Sequence, residues 1–137
     1  MSEAHAMTDL AALPAGFALA SDEVPWTWVA AVDSIPCDRG VAVLVNDVPA
    51  ALFRLSEVDG VDEEWHAVSH LDPSTGAPVM ARGLVGSHHD GTIIRSTVAS
   101  PLHKQRYDLA TGRCLDDDAI TLQVFEVMVI DGQVLVR

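Results

Sequence analysis

From Trp26 onward, apolar residues come in short branched runs, each broken within a few positions by Gly, Pro, Asn or Asp. No window carries an apolar stripe at i, i+3, i+4 and i+7 for three turns, so the period is that of strands. The runs predict strands over Thr27 to Val32, Val41 to Val45, Ala50 to Leu55, Trp65 to Ser69, Leu84 to Ser87, Thr92 to Val98, Arg106 to Asp108, Val124 to Ile130 and Gln133 to Arg137. The dipeptides Asn46-Asp47, Asp90-Gly91 and Asp131-Gly132 predict hairpins, because such pairs tolerate the positive φ that a two-residue primed turn requires. This is the pattern of an all-β chain with antiparallel sheets in a small sandwich or barrel. Residues 23–137 contain no repeat and no linker and read as one domain. Residues 1–22 are expected to form a flexible tail, because Pro14 and Gly16 interrupt any helix there.

Length agrees with one domain: 137 residues, 49% of them hydrophobic, suffice for a single core. Aromatics supply only 5%, so that core must be built from Val, Leu, Ile and Ala. Eight basic residues against 20 acidic ones leave a net charge of -12, and Lys104 is the only lysine. Such a surface repels phosphate backbones and anionic lipid, which argues against nucleic-acid and membrane partners and allows a partner with a basic docking surface. No stretch approaches the roughly 20 apolar residues needed to cross a bilayer. The first residues, with Glu3 and Asp9 and no basic start, do not read as a signal peptide.

Cys37 and Cys114 stand 77 positions apart without metal-ligand spacing, so the expectation is two buried free thiols in a reducing cytoplasm. The acidic clusters Asp62-Glu63-Glu64 and Asp116-Asp117-Asp118 lack the ligand spacing of a calcium loop and read as solvated loops. There is no GxGxxG, P-loop, HExxH or GxSxG.

Two segments carry more. Ala67-Val68-Ser69-His70 and Ser100-Pro101-Leu102-His103 each end a strand and lead into a polar turn. They resemble the two metal loops of a Rieske iron–sulfur domain, in which Cys-x-His and Cys-x-x-His hold a [2Fe-2S] cluster. Here both histidines stand in place, whereas Val68 and Ser100 occupy the thiolate positions, and neither can serve a cluster iron. The second loop continues through Lys104-Gln105-Arg106-Tyr107 to Thr111-Gly112. The resemblance implies that Tyr107 packs into the core and that Gly112 takes the turn. Between the loops lie 29 residues, including Asp72-Pro73-Ser74-Thr75-Gly76 and Arg82-Gly83-Leu84-Val85-Gly86, long enough for an added hairpin from Leu84 to Val98.

With Ser100-Pro101-Leu102-His103-Lys104-Gln105, these segments resemble one branch of the Rieske-like domains across residues 24 to 137: the small subunit of cytoplasmic NAD(P)H-dependent assimilatory nitrite reductase, which has lost its cluster ligands. His103 departs from the branch, whose members often carry an aromatic there. The resemblance implies a cofactor-free subunit, not itself catalytic, docked on a large subunit that carries FAD, an iron–sulfur cluster and sirohaem and reduces nitrite to ammonia. Arg82, Lys104, Gln105 and Arg106 are the expected contact residues. A mononuclear metal site built on His70 and His103 with His66, His88 or His89 is the alternative from the metalloproteins. A Rieske-like interaction module of another redox complex is a third reading. A working ferredoxin is disfavoured, because no Cys lies within ten residues of His70 or His103.

Overall fold

In the computed structural model, which describes residues 24–57 and 62–137, the strands form three antiparallel sheets. The expected tail over residues 1–22 lies outside the described residues. One sheet holds β1 (Thr27–Ala31), β10 (Gln133–Val136) and β9 (Val127–Ile130), in that order. A second holds β2 (Gly40–Val45), β3 (Val48–Leu55), β4 (Glu64–Ser69) and β8 (Val124–Phe125). The third holds β5 (Leu84–Asp90), β6 (Ile93–Ala99) and β7 (Arg106–Asp108). Helical structure among the described residues is confined to two 3-10 turns, Val32–Ser34 and Met80–Arg82.

Turn chemistry sets two hairpins as expected. Asn46 and Asp47 (φ 50° and 68°) link paired Val45 and Val48, and Asp131 and Gly132 (52° and 73°) link paired Ile130 and Gln133. Left-handed residues at both centres give the twist that the flanking strands need. The third hairpin turns one residue later than its dipeptide suggests: Asp90 pairs with Ile93, so Gly91 and Thr92 form the turn. Only Gly91 has positive φ there, which spares the β-branched Thr92. The hairpin expected from Leu84 to Val98 is β5 and β6.

The run Val124 to Ile130 is two strands rather than one. Val124 and Phe125 pair with β4, whereas Val127–Ile130 pairs with β10. Between them Glu126 exchanges both backbone hydrogen bonds with Arg137, at 2.8 and 3.0 Å. The chain changes sheets here while staying extended, which a period of two cannot reveal.

The four-stranded sheet is the middle layer. Along β3, Ala51, Phe53 and Leu55 enter one core, with Val68, Met80, Val98, Tyr107 and Leu122, while Ala50 and Leu52 enter the other, with Ala30, Val134 and Val136. Burial on both faces explains why residues 50–53 are continuously apolar rather than alternating. The first core ties the middle sheet to the β5–β6–β7 sheet and packs beneath both candidate loops. At Gly40 a Cβ would lie 2.5 Å from the Ala81 carbonyl oxygen and 2.9 Å from the Phe53 ring, so only glycine lets the Met80–Arg82 turn sit against β2.

Two expectations about local environment are corrected. Cys114 is buried in the first core, but Cys37 is exposed: in the connection before β2 it is Ile35, two residues earlier, that enters the second core. Glu64 is not in a solvated loop: it opens β4, pairs with Leu55, and accepts hydrogen bonds from Ser96 Oγ at 3.0 Å and the His66 ring at 2.8 Å.

Candidate functional site

β4 ends at Ser69 and feeds the first loop; β6 ends at Ala99 and feeds the second. Val68 lies one residue before the end of β4, paired with Ala51 and Val124, and its side chain is wholly buried in the first core. An isopropyl group there contributes packing and no donor atom.

His70 anchors its own loop. Its N–H donates to Pro49 O at 3.1 Å, and its carbonyl accepts the N–H groups of Val79 at 2.9 Å and Met80 at 3.0 Å. The ring is also engaged: Nδ1 accepts the Ala81 N–H at 3.1 Å. That bond requires an unprotonated Nδ1 and puts the proton of the neutral ring on Nε2. Partial burial holds the imidazole below its ordinary pKa, and the adjacent Arg82 guanidinium adds to the effect. His70 is therefore a neutral structural acceptor.

Ser100 is 1% exposed, and its hydroxyl donates to the Asp72 carboxylate, itself fully buried. The other Asp72 oxygen accepts the Ser74 N–H at 2.7 Å, and the Asp72 carbonyl accepts the Gly76 N–H at 2.7 Å. The Asp-Pro-Ser-Thr-Gly segment is thus a turn that coils around a buried carboxylate, with Gly76 at φ 77°. The second loop closes on itself through Ser100 N–H to Gln105 O and Lys104 N–H to Ser100 O, both 2.9 Å, with Lys104 at φ 62°. A further bond, Gln105 Nε2 to Ser74 Oγ at 3.4 Å, joins the loops again.

Tyr107 lies in the core beneath, fully buried, as the resemblance implies. Its hydroxyl makes no hydrogen bond of good geometry. Burial pushes the phenol up to about 12; the Cys114 thiol and Asp72 carboxylate push the same way, and the nearby Ser74 hydroxyl opposes them. Gly112 takes the expected left-handed turn at φ 79°.

Of the expected contact residues, Arg82 and Lys104 are exposed, Gln105 is half-buried, and Arg106 is held by Asp116. Arg106 Nη2 reaches one Asp116 oxygen at 2.9 Å and Nε the other at 3.3 Å, and this fork raises the pKa of the guanidinium and lowers that of the carboxyl.

The side chains around the loops do not fit an iron–sulfur cluster. At the two thiolate positions stand a core valine and a serine committed to a carboxylate, and the Nδ1 lone pair of His70 is taken by a backbone N–H. The extra histidines do not gather at His70 either. His66 pairs with Glu64 on β4, His88 lines a cleft with Asp90, Arg95 and Asp118, and His89 and His103 are exposed. No three metal-binding side chains converge among the described residues. The residue missed by sequence reasoning is Asp72. Its segment is visible as a motif, but the partner that gives it a role is 28 positions away.

Three stacked antiparallel sheets with two such loops at strand ends define a Rieske-like domain. Residues 25–137 match the family described as Rieske-like [2Fe-2S] domain. The chain is 36% identical over 112 residues to the nitrite reductase (NADH) small subunit of Escherichia coli K12, covering 82% of this chain and 96% of that one. It therefore belongs to the family of nitrite reductase small subunits.

Solved structures agree. A crystal structure of a putative NADH-dependent nitrite reductase small subunit from Mycobacterium tuberculosis superposes with TM-score 0.71 at 40% identity, covering 82% of this chain and 93% of that one. The Escherichia coli protein NirD, in solution, gives 0.68 at 34%, covering 82% and 96%. The nitrite reductase [NAD(P)H] large subunit of Klebsiella oxytoca is 32% identical to this chain over 112 residues, a segment that is 11% of that protein. The ferredoxin of carbazole 1,9a-dioxygenase from Nocardioides aromaticivorans, at 20% identity and TM-score 0.60, shares the fold.

Proposed function

We propose that this chain is the cofactor-free small subunit of a cytoplasmic NAD(P)H nitrite reductase and docks on the large subunit that carries FAD, an iron–sulfur cluster and sirohaem. The observation that carries the cofactor-free reading is the Ser100–Asp72 bond: at a position where a Rieske domain offers a thiolate, this chain offers a hydroxyl already spent inside the protein. Neither loop retains a group that can accept an electron. The isolated chain is accordingly not catalytic, and its contribution to nitrite reduction is the shape and charge it presents to the large subunit.

Two further observations support the partner. A domain like this one is part of the large-subunit chain in Klebsiella oxytoca, so domain and reductase occur there in one polypeptide. Leu71 and Leu102, one from each loop, are 39% and 46% exposed, which gives the joined loops an apolar tip suited to a protein surface.

The test is metal and sulfide analysis, with a visible spectrum, on protein purified anaerobically without chelator, followed by capture of the large subunit. The expected result is no stoichiometric iron, sulfide or zinc, and recovery of a sirohaem protein. Iron with sulfide would return the chain to the electron-transfer ferredoxins, and one zinc or iron without sulfide would establish a histidine site.

A further inference from the structure

Five of the seven arginines are matched to a carboxylate inside the chain: Arg54 to Glu63, Arg95 to Asp108 and Asp90, Arg106 to Asp116, Arg113 to Asp118 and Arg137 to Glu126. Arg39 and Arg82 are the two with no ion pair among the described residues. They come from different elements, the connection before β2 and the 3-10 turn after the first loop, yet both line one open cleft of about 510 Å³ with Pro36, Gly40 and Ala81.

Two exposed guanidinium groups that line one cleft without a carboxylate partner among the described residues are free to meet an anion from outside. They are also conspicuous here, because a chain with 20 acidic residues has carboxylates to spare for matching. The cleft floor is built for close approach: glycine at position 40 lets the Ala81 backbone contact β2, which brings the Arg82 turn up beside Arg39. Arg82 is held at the rim by the backbone of its own turn, with its N–H on Val79 O at 2.9 Å. It also lies close enough to His70 to lower that imidazole's pKa, so the cleft borders the first loop.

We propose that the Arg39–Arg82 cleft receives an acidic segment of the large subunit, two or more carboxylates presented on a peptide. The inference rests on the partner reading above and deepens it. Net charge alone points to a basic partner surface, yet the cleft is a cationic island on an anionic protein. Such an island orients an approaching acidic segment, because the chain as a whole, at a net charge of -12, repels it. Arg106, committed to Asp116, takes no part.

The experiment is binding of the full chain to purified nitrite reductase large subunit across a series of ionic strengths. Wild type is compared with Arg39→Glu/Arg82→Glu and with the charge-preserving Arg39→Lys/Arg82→Lys. The double reversal is expected to weaken association by about tenfold or more, mostly through the on-rate, and to flatten its salt dependence; the lysine pair retains most of the affinity. A thermal midpoint unchanged from wild type shows that the loss is one of docking. If the reversed protein does not fold, Arg39→Gln/Arg82→Gln replaces it with the same expectation. Undiminished affinity and an unchanged salt slope in the reversed variant would overturn the cleft as the docking site while leaving the partner intact. Absence of any wild-type complex would overturn the partner reading, and the cleft proposal with it.

Discussion

The Ser100 hydroxyl donates to the Asp72 carboxylate across 28 residues of sequence, with both side chains buried. This bond fastens the second loop to the first where the Rieske resemblance would place a metal ligand. A buried carboxylate that loses a donor keeps its full desolvation cost, so the pair is asymmetric to mutation. Ser100→Ala is expected to lower unfolding stability by about 1.5–3 kcal/mol, the range for hydrogen bonds to charged groups. Asp72→Asn, which keeps an acceptor oxygen, is expected to cost less. Urea unfolding of the two variants measures both; a neutral Ser100→Ala would show that the loops are held by other contacts.

His70 gives the protein a pH dependence near neutrality. Burial and Arg82 hold its folded pKa below the ordinary 6.5, so protons bind more readily to the unfolded chain. The stability this represents is complete above pH 6.5 and is lost as pH falls from there through the lowered folded value. Asp38, whose carboxylate accepts from Ser56, and Asp116, which accepts from Arg106, also have depressed values, but they act only below about pH 4. Unfolding free energies between pH 7.5 and 5 should therefore slope downward in wild type and lie flatter in His70→Gln. Equal slopes would remove His70 from the account.

Tyr107 is the only tyrosine, so its ionisation can be followed directly by ultraviolet absorbance. With its folded pKa raised to about 12, phenolate is expected to appear near pH 12 or on alkaline unfolding, whichever comes first. A group raised in this way stabilises the fold below its unfolded value, about 10, and that contribution fades above it. Because the hydroxyl has no partner of good geometry, Tyr107→Phe should change stability by less than about 1 kcal/mol. A loss of several kcal/mol would reveal a hydrogen bond from Tyr107, with Ser74 its first suspect.

Gly112 and Gly132 separate turn strain from steric conflict. Both have positive φ, 79° and 73°, so alanine at either carries the left-handed penalty of about 1–2 kcal/mol. At Gly132 a new Cβ meets nothing within 4 Å, whereas at Gly112 it would lie 1.8 Å from the Leu122 carbonyl oxygen. That oxygen belongs to a segment held in place by Leu122 N–H to Gly112 O at 2.7 Å. Gly112→Ala should thus cost about 3–5 kcal/mol and Gly132→Ala about 1–2, compared by thermal unfolding. Similar losses would mean that the Leu122 segment yields easily.

Local signals sufficed for most strands and for two hairpins, because branched runs and Asn-Asp or Asp-Gly turns act through residues adjacent in sequence. They also sufficed to mark the two loops, since the substitutions at Val68 and Ser100 are visible against His70 and His103 in the linear motif. The passage of residues 124–130 between two sheets was not legible, because extended backbone looks the same in either.

Nor did the sequence distinguish the arginines. Arg82 and Arg106 read alike as exposed cations, and only the fold reveals that Asp116 holds Arg106 while Arg39, 43 positions before Arg82, comes to share a cleft with it. The sequence by itself determined the all-β class, the family and the loss of thiolates, because each is written in residue type and short spacing. Tertiary structure alone decided which charges are matched, that Asp72 is the carboxylate serving Ser100, and that the His70 ring is occupied. Those properties depend on contacts between distant segments, which no local pattern encodes.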